Sequence, residues 1–174
     1  MNFNPRPSLF CPRCGSEQFK NRNTKSFICD QCGFEYFHNV ATAAAGIIEI
    51  GNQIILTRRA RNPKKGMLDL PGGFVDYGES AEEGLRREIR EELNLDIREM
   101  AYLTSFPNIY WYKNVKYNTL DMLFVCKTNG IKKIRPQDDV ADFHFISPWQ
   151  IAPKQIAFPS VRKGLQHYLA LKQA

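Results

Sequence analysis

The sequence predicts an α/β protein, with a small cysteine-rich segment ahead of a larger domain of mixed helices and strands. Two C-x-x-C pairs lie within residues 11–32. Behind them, short apolar runs bounded by glycine, asparagine and proline indicate strands, and apolar residues at helical spacing within 80–95 and 159–172 indicate two helices. A chain of 174 residues can bury one sizeable core and carry a small appendage.

Composition excludes some classes of protein. The chain is 43 % hydrophobic, which is typical of a folded domain and not of a disordered chain. No stretch approaches the roughly 18 apolar residues of a membrane span, and the N-terminus lacks an apolar signal segment. We therefore expect a cytoplasmic protein without a membrane partner. The net charge of +6 suits anionic ligands but is equally typical of an ordinary basic surface.

The cysteine spacing predicts a structural zinc site. Residues 1–10 are predicted to be a flexible lead, residues 11–38 a zinc ribbon, and residues 39–174 the larger domain. Paired thiolates at this spacing are typical of tetrahedral zinc, and the four predicted ligands are Cys11, Cys14, Cys29 and Cys32. Disulfides are disfavoured in a cytoplasmic chain, and a redox pair needs no duplication. So short a segment would draw its folding energy from the metal.

The larger domain is predicted to open with strands and a basic loop. Ala41–Ile50 and 53–57 are predicted to form a hairpin around Gly51-Asn52. The segment 58–66 carries five positive charges and is predicted to be a loop. Two of its residues are candidates for binding phosphate groups, Arg59 and Arg61, although solvated loops are often charged for no functional reason.

The helix predicted over 80–95 has one buried stripe and an acidic edge. Ser80 and Glu83 match a capping box at its start, and the stripe consists of Ala81, Leu85, Ile89 and Leu93. At about 100° per residue, three carboxylates border the stripe: Glu88, Glu91 and Glu92. Because like charges so close repel one another, we expect a cation among them. Oxygen ligands suit Mg²⁺ or Mn²⁺; an ordinary amphipathic helix with a solvated acidic edge is the alternative.

The stretch from Gly73 to Leu95 resembles the Nudix box, G-x5-E-x7-R-E-U-x-E-E-x-G-U, where U is aliphatic. The matching polar and glycine positions are Gly73, Glu79, Arg87, Glu88, Glu91 and Glu92. Asn94 stands where the family has glycine, and asparagine is the next most tolerant residue in a left-handed conformation. The resemblance implies an α/β/α sandwich around a mixed sheet. It also implies hydrolysis of a nucleoside diphosphate linked to another moiety.

The same resemblance implies roles for these residues. The Gly73 carbonyl and the carboxylates of Glu88, Glu91 and Glu92 would bind two or three Mg²⁺ or Mn²⁺ ions. Arg87 would orient glutamate carboxylates, and Glu79 would tether the helix or support the metals indirectly. In the acidic turn before the last strand, Asp139 is the favoured further ligand, ahead of Asp142. The general base is left unassigned.

A zinc ribbon directly before this box resembles the arrangement of NADH pyrophosphatases. The family's serine-glutamine-proline signature is reduced here to Ser105-Phe106-Pro107, without the glutamine. We therefore expect cleavage of NADH or ADP-ribose to release AMP, with NADH only slightly ahead. The alternatives are a nucleoside triphosphate sanitising pyrophosphohydrolase and a non-catalytic ligand sensor. Sensors usually lose box carboxylates, and all of them are present here.

The two strands predicted after the helix, 96–106 and 116–126, surround a dense group of aromatic residues. Three of these are candidates for stacking on a nucleotide base: Phe106, Tyr110 and Tyr112. Aromatic residues at this density are also typical of hydrophobic cores and of homodimer interfaces. The pattern is therefore compatible with a homodimer. Nucleic acid is not an expected partner, because Arg13 is the one basic residue in the cysteine knuckles.

Overall fold

A computed structural model describes residues 9–173 of the chain. The chain divides into two compact units between Asn39 and Val40, one residue after the predicted boundary. Of the predicted lead over residues 1–10, residues 1–8 lie outside the described part. Within residues 9–173, no helix is both long and apolar enough to cross a membrane.

The larger unit is built on a seven-stranded mixed sheet. Its main path has the order β10-β5-β4-β9-β8, in which β4 and β9 are parallel and the other pairs are antiparallel; the short strands β6 and β7 pair with β5 and β4. The strands are β4 (Ala41–Ile50), β5 (Gln53–Arg59), β6 (Leu68–Asp69), β7 (Gly72–Phe74), β8 (Ile97–Tyr112), β9 (Val115–Thr128) and β10 (Val140–Ile146).

Strand lengths differ from the predicted ones where two strands pair. The β8–β9 hairpin extends beyond the predicted segments to Tyr112 and back from Val115, because residues 113 and 114 turn the chain with positive φ angles of 45° and 65°. The basic segment 58–66 is not entirely a loop as predicted. Arg58 and Arg59 continue β5, since they pair with β6 and β10.

One helix covers each face of this sheet. Helix α1 spans Ala81–Leu93 and helix α2 spans Pro159–Gln173. Because neighbouring side chains of a strand point to opposite faces, Ile48 packs with the α1 stripe while Ile47 packs in the cluster that includes Val161 and Leu165 of α2. Burial of each such side chain contributes about 1.5–3 kcal/mol. The result is the predicted α/β/α sandwich.

The ends of α1 follow from its sequence. Ser80 is the N-cap, and its hydroxyl and the Glu83 carboxylate exchange hydrogen bonds with each other's backbone N–H, which completes the capping box. At the other end Asn94 adopts the left-handed conformation, with φ 52° and ψ 42°, and its side chain donates to the Lys133 carbonyl at 2.9 Å. Asparagine therefore fills the position at which the Nudix box has glycine.

The smaller unit holds a three-stranded antiparallel sheet and the four cysteines. Its strands are β1 (Phe19–Asn21), β2 (Ser26–Cys29) and β3 (Glu35–Phe37). Each cysteine pair is followed by a glycine with positive φ whose N–H donates to the carbonyl of the first cysteine of the pair, at 2.8 Å for Gly15 and 2.9 Å for Gly33. The two turns therefore repeat one geometry.

The four sulfur atoms form a compact cluster, with all ligand atoms within 4.8 Å of one another. Two of the Sγ–Sγ distances are 3.7 Å, between Cys11 and Cys32 and between Cys14 and Cys29. A tetrahedral zinc ion with Zn–S bonds of about 2.3 Å separates its sulfur ligands by about 3.8 Å. This spacing is far longer than the roughly 2.05 Å of a disulfide, so the cluster fits one zinc ion.

We expect the purified protein to contain about one zinc ion per chain, since four thiolates close the coordination sphere. Elemental analysis of protein prepared without added metal measures this number directly. Removal of the zinc by a chelator should unfold the smaller unit while the larger unit keeps its thermal transition. A zinc-free protein with an intact smaller unit would contradict this assignment.

Replacement of Asn94 tests the end of α1. Asn94→Ala should lower the free energy of unfolding by about 1–2 kcal/mol, because alanine is disfavoured in the left-handed conformation and cannot donate to Lys133. Asn94→Gly should lose less, since glycine adopts this conformation readily. Denaturant unfolding of both variants gives the comparison. Equal losses would mean that the hydrogen bond, and not the backbone conformation, matters at this position.

Candidate active site

The acidic edge of α1 lies directly against Gly72 and Gly73, the first two residues of β7. The buried Glu92 carboxylate accepts a hydrogen bond from the Gly72 N–H at 2.9 Å. Gly72 has a φ of 135°, and a Cβ there would fall 2.2 Å from the Ala44 carbonyl oxygen, so only glycine fits. A Cβ on Gly73 would fall 2.6 Å from the Glu88 carboxyl group. Gly72 thus allows the backbone to approach β4, and Gly73 allows it to approach the Glu88 carboxylate.

Arg87 holds the remaining acidic groups in place. Its guanidinium donates to both oxygens of Glu79, at 2.8 and 3.1 Å, to Glu88 at 2.8 Å and to Glu91 at 3.2 Å. It also donates to the Phe74 carbonyl at 3.0 Å. These bonds lower the pKa of Glu79 and raise that of Arg87. The arginine therefore fixes the helix, the preceding loop and the Gly73 segment relative to one another.

Two of the glutamates are electrostatically unfavourable as anions. Burial raises the pKa of Glu92 to about 8, with Glu88 and Asp69 adding to the effect and the Gly72 N–H opposing it. Burial also raises the pKa of Glu88, against the stabilising effect of Arg87. Carboxylates held this way fit a divalent cation, which would favour their charged forms. All the donors are oxygen atoms, as Mg²⁺ and Mn²⁺ prefer.

The predicted metal ligands of the larger unit do not form one tight cluster in the structure. Among residues 9–173, the cysteine cluster alone has three or more potential ligand atoms within 4.8 Å of one another. The Glu91 side chain is 50 % exposed. Asp139 forms an ion pair with Arg61 at 2.6 Å, while its neighbour Asp138 is the aspartate whose charge raises the pKa of Glu88. Both aspartates border the same cavity as Glu88 and Glu92.

That cavity, which we call the carboxylate pocket, has a volume of about 250 Å³, and its lining includes Glu88, Glu92, Tyr110 and Phe158. A wider groove of about 1560 Å³, which we call the outer groove, shares Asn108, Thr119 and Phe158 with it. The two cavities are therefore neighbours.

The predicted substrate-binding residues fall into three positions. Arg59 and Tyr110 line the carboxylate pocket, whereas Arg61 and Tyr112 line the outer groove. Phe106 lines neither of them and packs against the α2 side of the core. Arg59 is the residue of this set that its neighbours hold most firmly.

Three contacts fix the Arg59 side chain. It forms an ion pair with Asp69 at 3.0 Å, donates to the Pro63 carbonyl at 2.8 Å, and lies 5.0 Å from the centre of the Phe158 ring. Burial raises the pKa of Asp69 to about 6, and Arg59 opposes that rise. The guanidinium is therefore held in position at the edge of the pocket before any ligand binds.

Sequence reasoning missed a second group of polar residues in the pocket. Asp121 is buried and accepts hydrogen bonds from Asn108, Thr119 and Ser160. These residues come from β9, β8 and α2 and meet only in the folded chain. The one signal in the sequence is a lone acidic residue inside an apolar strand, Leu120-Asp121-Met122-Leu123.

Comparison with known proteins identifies the family. The family model of the NUDIX domain matches residues 38–167. The ADP-ribose pyrophosphatase of Methanocaldococcus jannaschii is 32 % identical over 140 residues, which cover 79 % of this chain and 76 % of the relative. The NAD-capped RNA hydrolase NudC of Yersinia pestis is 32 % identical over 102 residues, covering 59 % of the chain and 39 % of the relative's length.

Solved structures show the same fold. A NUDIX hydrolase from Nitrosomonas europaea superimposes with a TM-score of 0.72 at 24 % identity, over 94 % of this chain and 92 % of that one. An ADP-ribose pyrophosphatase from Streptococcus suis superimposes with a TM-score of 0.60 at 17 % identity, over 78 % and 94 %. At such identities the likeness concerns the fold alone. With the domain match and the Methanocaldococcus relative, it follows that the chain belongs to the Nudix family and is a Nudix pyrophosphohydrolase.

Proposed function

We propose that this chain is a Mg²⁺- or Mn²⁺-dependent pyrophosphatase that cleaves ADP-ribose, and NADH as a related substrate, to release AMP. The observation that carries the proposal is the buried Glu92 and the half-buried Glu88, which lie against the backbone of Gly72 and Gly73 and line the carboxylate pocket. The Methanocaldococcus relative supports ADP-ribose as the first substrate to test.

The acidic edge of α1 would hold the metal ions. Glu88, Glu91, Glu92 and the Gly73 carbonyl would bind them, and Asp138 or Asp139 would add a carboxylate from the facing turn. A bound divalent cation would neutralise the pyrophosphate oxygens and lower the pKa of a water molecule. Arg87 keeps Glu88 and Glu91 oriented, which reduces the rearrangement needed when substrate binds.

Arg59 is positioned to bind the diphosphate. Because Asp69 and Phe158 already hold its guanidinium at the pocket, little side-chain entropy is lost when it binds a phosphate oxygen. Arg61 and Asp139 form an ion pair at the turn beside the pocket. We propose that a substrate phosphate would compete with this pair for Arg61.

The size of the site suits a substrate with two ends. The carboxylate pocket, with a volume of about 250 Å³, would take one end of the substrate, and the larger outer groove would take the other. Tyr110 at the pocket and Tyr112 at the groove supply aromatic surface for a base. Binding at both ends would place the linking pyrophosphate beside Glu88 and Glu92.

A second candidate substrate is a nucleotide that carries a longer anionic extension. The relative NudC is an NAD-capped RNA hydrolase. The outer groove is lined by four basic residues and by no acidic residue within the described part of the chain; the basic residues are Arg61, Lys64, Lys113 and Arg162. These basic side chains would attract the phosphate groups of a substrate longer than a dinucleotide.

Product analysis tests the proposed reaction. With Mg²⁺ or Mn²⁺, ADP-ribose and NADH should each yield AMP, whereas nucleoside triphosphates should be poor substrates. NAD-capped RNA belongs in the same screen. If triphosphates release pyrophosphate while ADP-ribose and NADH remain intact, the sanitising reaction is the correct one. Absence of turnover with every compound would favour the ligand sensor.

The variant Glu92→Gln should retain less than about a tenth of the wild-type rate, because it removes a negative charge that faces the metal. Its melting temperature should not fall, since burial disfavours the charge and glutamine can still accept from Gly72. The matched control is Glu82→Gln, an exposed glutamate of the same helix, which should retain full activity. Full activity of Glu92→Gln would refute its role as a ligand.

A further inference from the structure

Asp121 is a buried acidic residue of the carboxylate pocket that has no role in binding metal or phosphate in the function proposed above. Only 8 % of its surface is exposed. Its partners are all neutral: the Thr119 hydroxyl donates to Oδ1 at 2.7 Å, while the Asn108 amide at 2.9 Å and the Ser160 hydroxyl at 2.5 Å donate to Oδ2. Among the described residues, no basic side chain forms an ion pair with it.

When the hydrogen bonds that residues 9–173 make are counted, one acceptor position of this carboxylate remains free. Its two oxygens together offer about four lone-pair positions, of which Oδ2 uses two and Oδ1 uses one. A buried anion with an unused acceptor is costly unless a ligand donates to it. A single free position suits one N–H or O–H donor.

The surroundings of Asp121 suit a flat ring. In the sheet, Asp121 lies in register with Ala43 of β4, and the small side chains of Ala43 and Ala45 leave space beside it in the pocket. The aromatic rings of Tyr110 and Phe158 line the same cavity, with their centres 5.8 Å apart. A base lying against these rings would share the cavity with the Asp121 carboxylate.

We propose that Asp121 is a specificity-determining residue that accepts a hydrogen bond from the 6-amino group of adenine. The inference rests on the proposed function, because an ADP-containing substrate brings adenine to this pocket. Adenine offers one N–H group from its amino position to the free lone pair of Oδ1. The Watson–Crick edge of guanine presents two adjacent donors, which would require both oxygens, and Oδ2 is already occupied.

The test compares two ligands that differ only in the amino group, AMP and purine riboside 5′-monophosphate. Calorimetry gives their affinities for the wild type, Asp121→Asn and Asp121→Ala, and Asp96→Asn is the control, an acidic residue at the surface. The wild type and the control should bind AMP at least about tenfold more tightly. The preference should shrink in Asp121→Asn, whose neutral oxygen is a weaker acceptor, and disappear in Asp121→Ala.

The outcomes separate this inference from a purely structural role and from the proposed reaction. If Asp121 only anchors Ser160 and Asn108, the variants will have lower melting temperatures with an unchanged preference, and the inference is wrong. It is equally wrong if the wild type binds both ligands alike or does not bind AMP. If Asp121→Ala fails to fold, the wild type and Asp121→Asn still decide. If the protein hydrolyses ADP-ribose but binds both ligands equally, the inference is refuted and the proposed function stands. If it prefers AMP but hydrolyses nothing, the inference stands and the proposed function is refuted.

Discussion

The burial of Glu92 against the Gly72 N–H is the constraint on which the rest of the site depends. It brings the acidic edge of α1 to the start of β7, at Gly72 and Gly73, and places a carboxylate where water is largely excluded. A lone buried carboxylate is unstable as an anion, as the raised pKa of Glu92 reflects. A cation shared by Glu92 and Glu88 would favour the charged forms of both carboxylates.

Arg87 and Asp69 show how the fold distributes its charges around that constraint. Arg87 donates hydrogen bonds to Glu79, Glu88 and Glu91, and these bonds restrict the rotation of the three side chains. Asp69 does the same for Arg59 on the other side of the pocket. The site thus combines two fixed guanidinium groups, those of Arg87 and Arg59, with two carboxylates, Glu88 and Glu92, whose charged forms burial disfavours. A metal-bound pyrophosphate has the charges that fit this arrangement.

The sequence predicts those features that a few neighbouring residues determine. The capping box, the left-handed Asn94 and the cysteine turns each depend on contacts within about five residues, and the α/β/α architecture followed from the Nudix box. The sequence does not predict the features that depend on contacts between residues far apart in the chain. The length of β8 and β9 depends on their mutual pairing, and the contact between Asp121 and Ser160 joins residues 39 positions apart. A single polar residue in an apolar strand signals burial but does not identify its partners.

The affinity of the protein for Mn²⁺ tests the central claim most directly. Titration followed by the electron paramagnetic resonance of free Mn²⁺ gives dissociation constants for the wild type, Glu88→Gln and the exposed control Glu83→Gln. If Glu88 and the Gly73 backbone form one cation site with Glu92, Glu88→Gln should bind Mn²⁺ at least about tenfold more weakly, with the control unchanged. Equal affinities in all three proteins would contradict the account, because they would place the cation elsewhere.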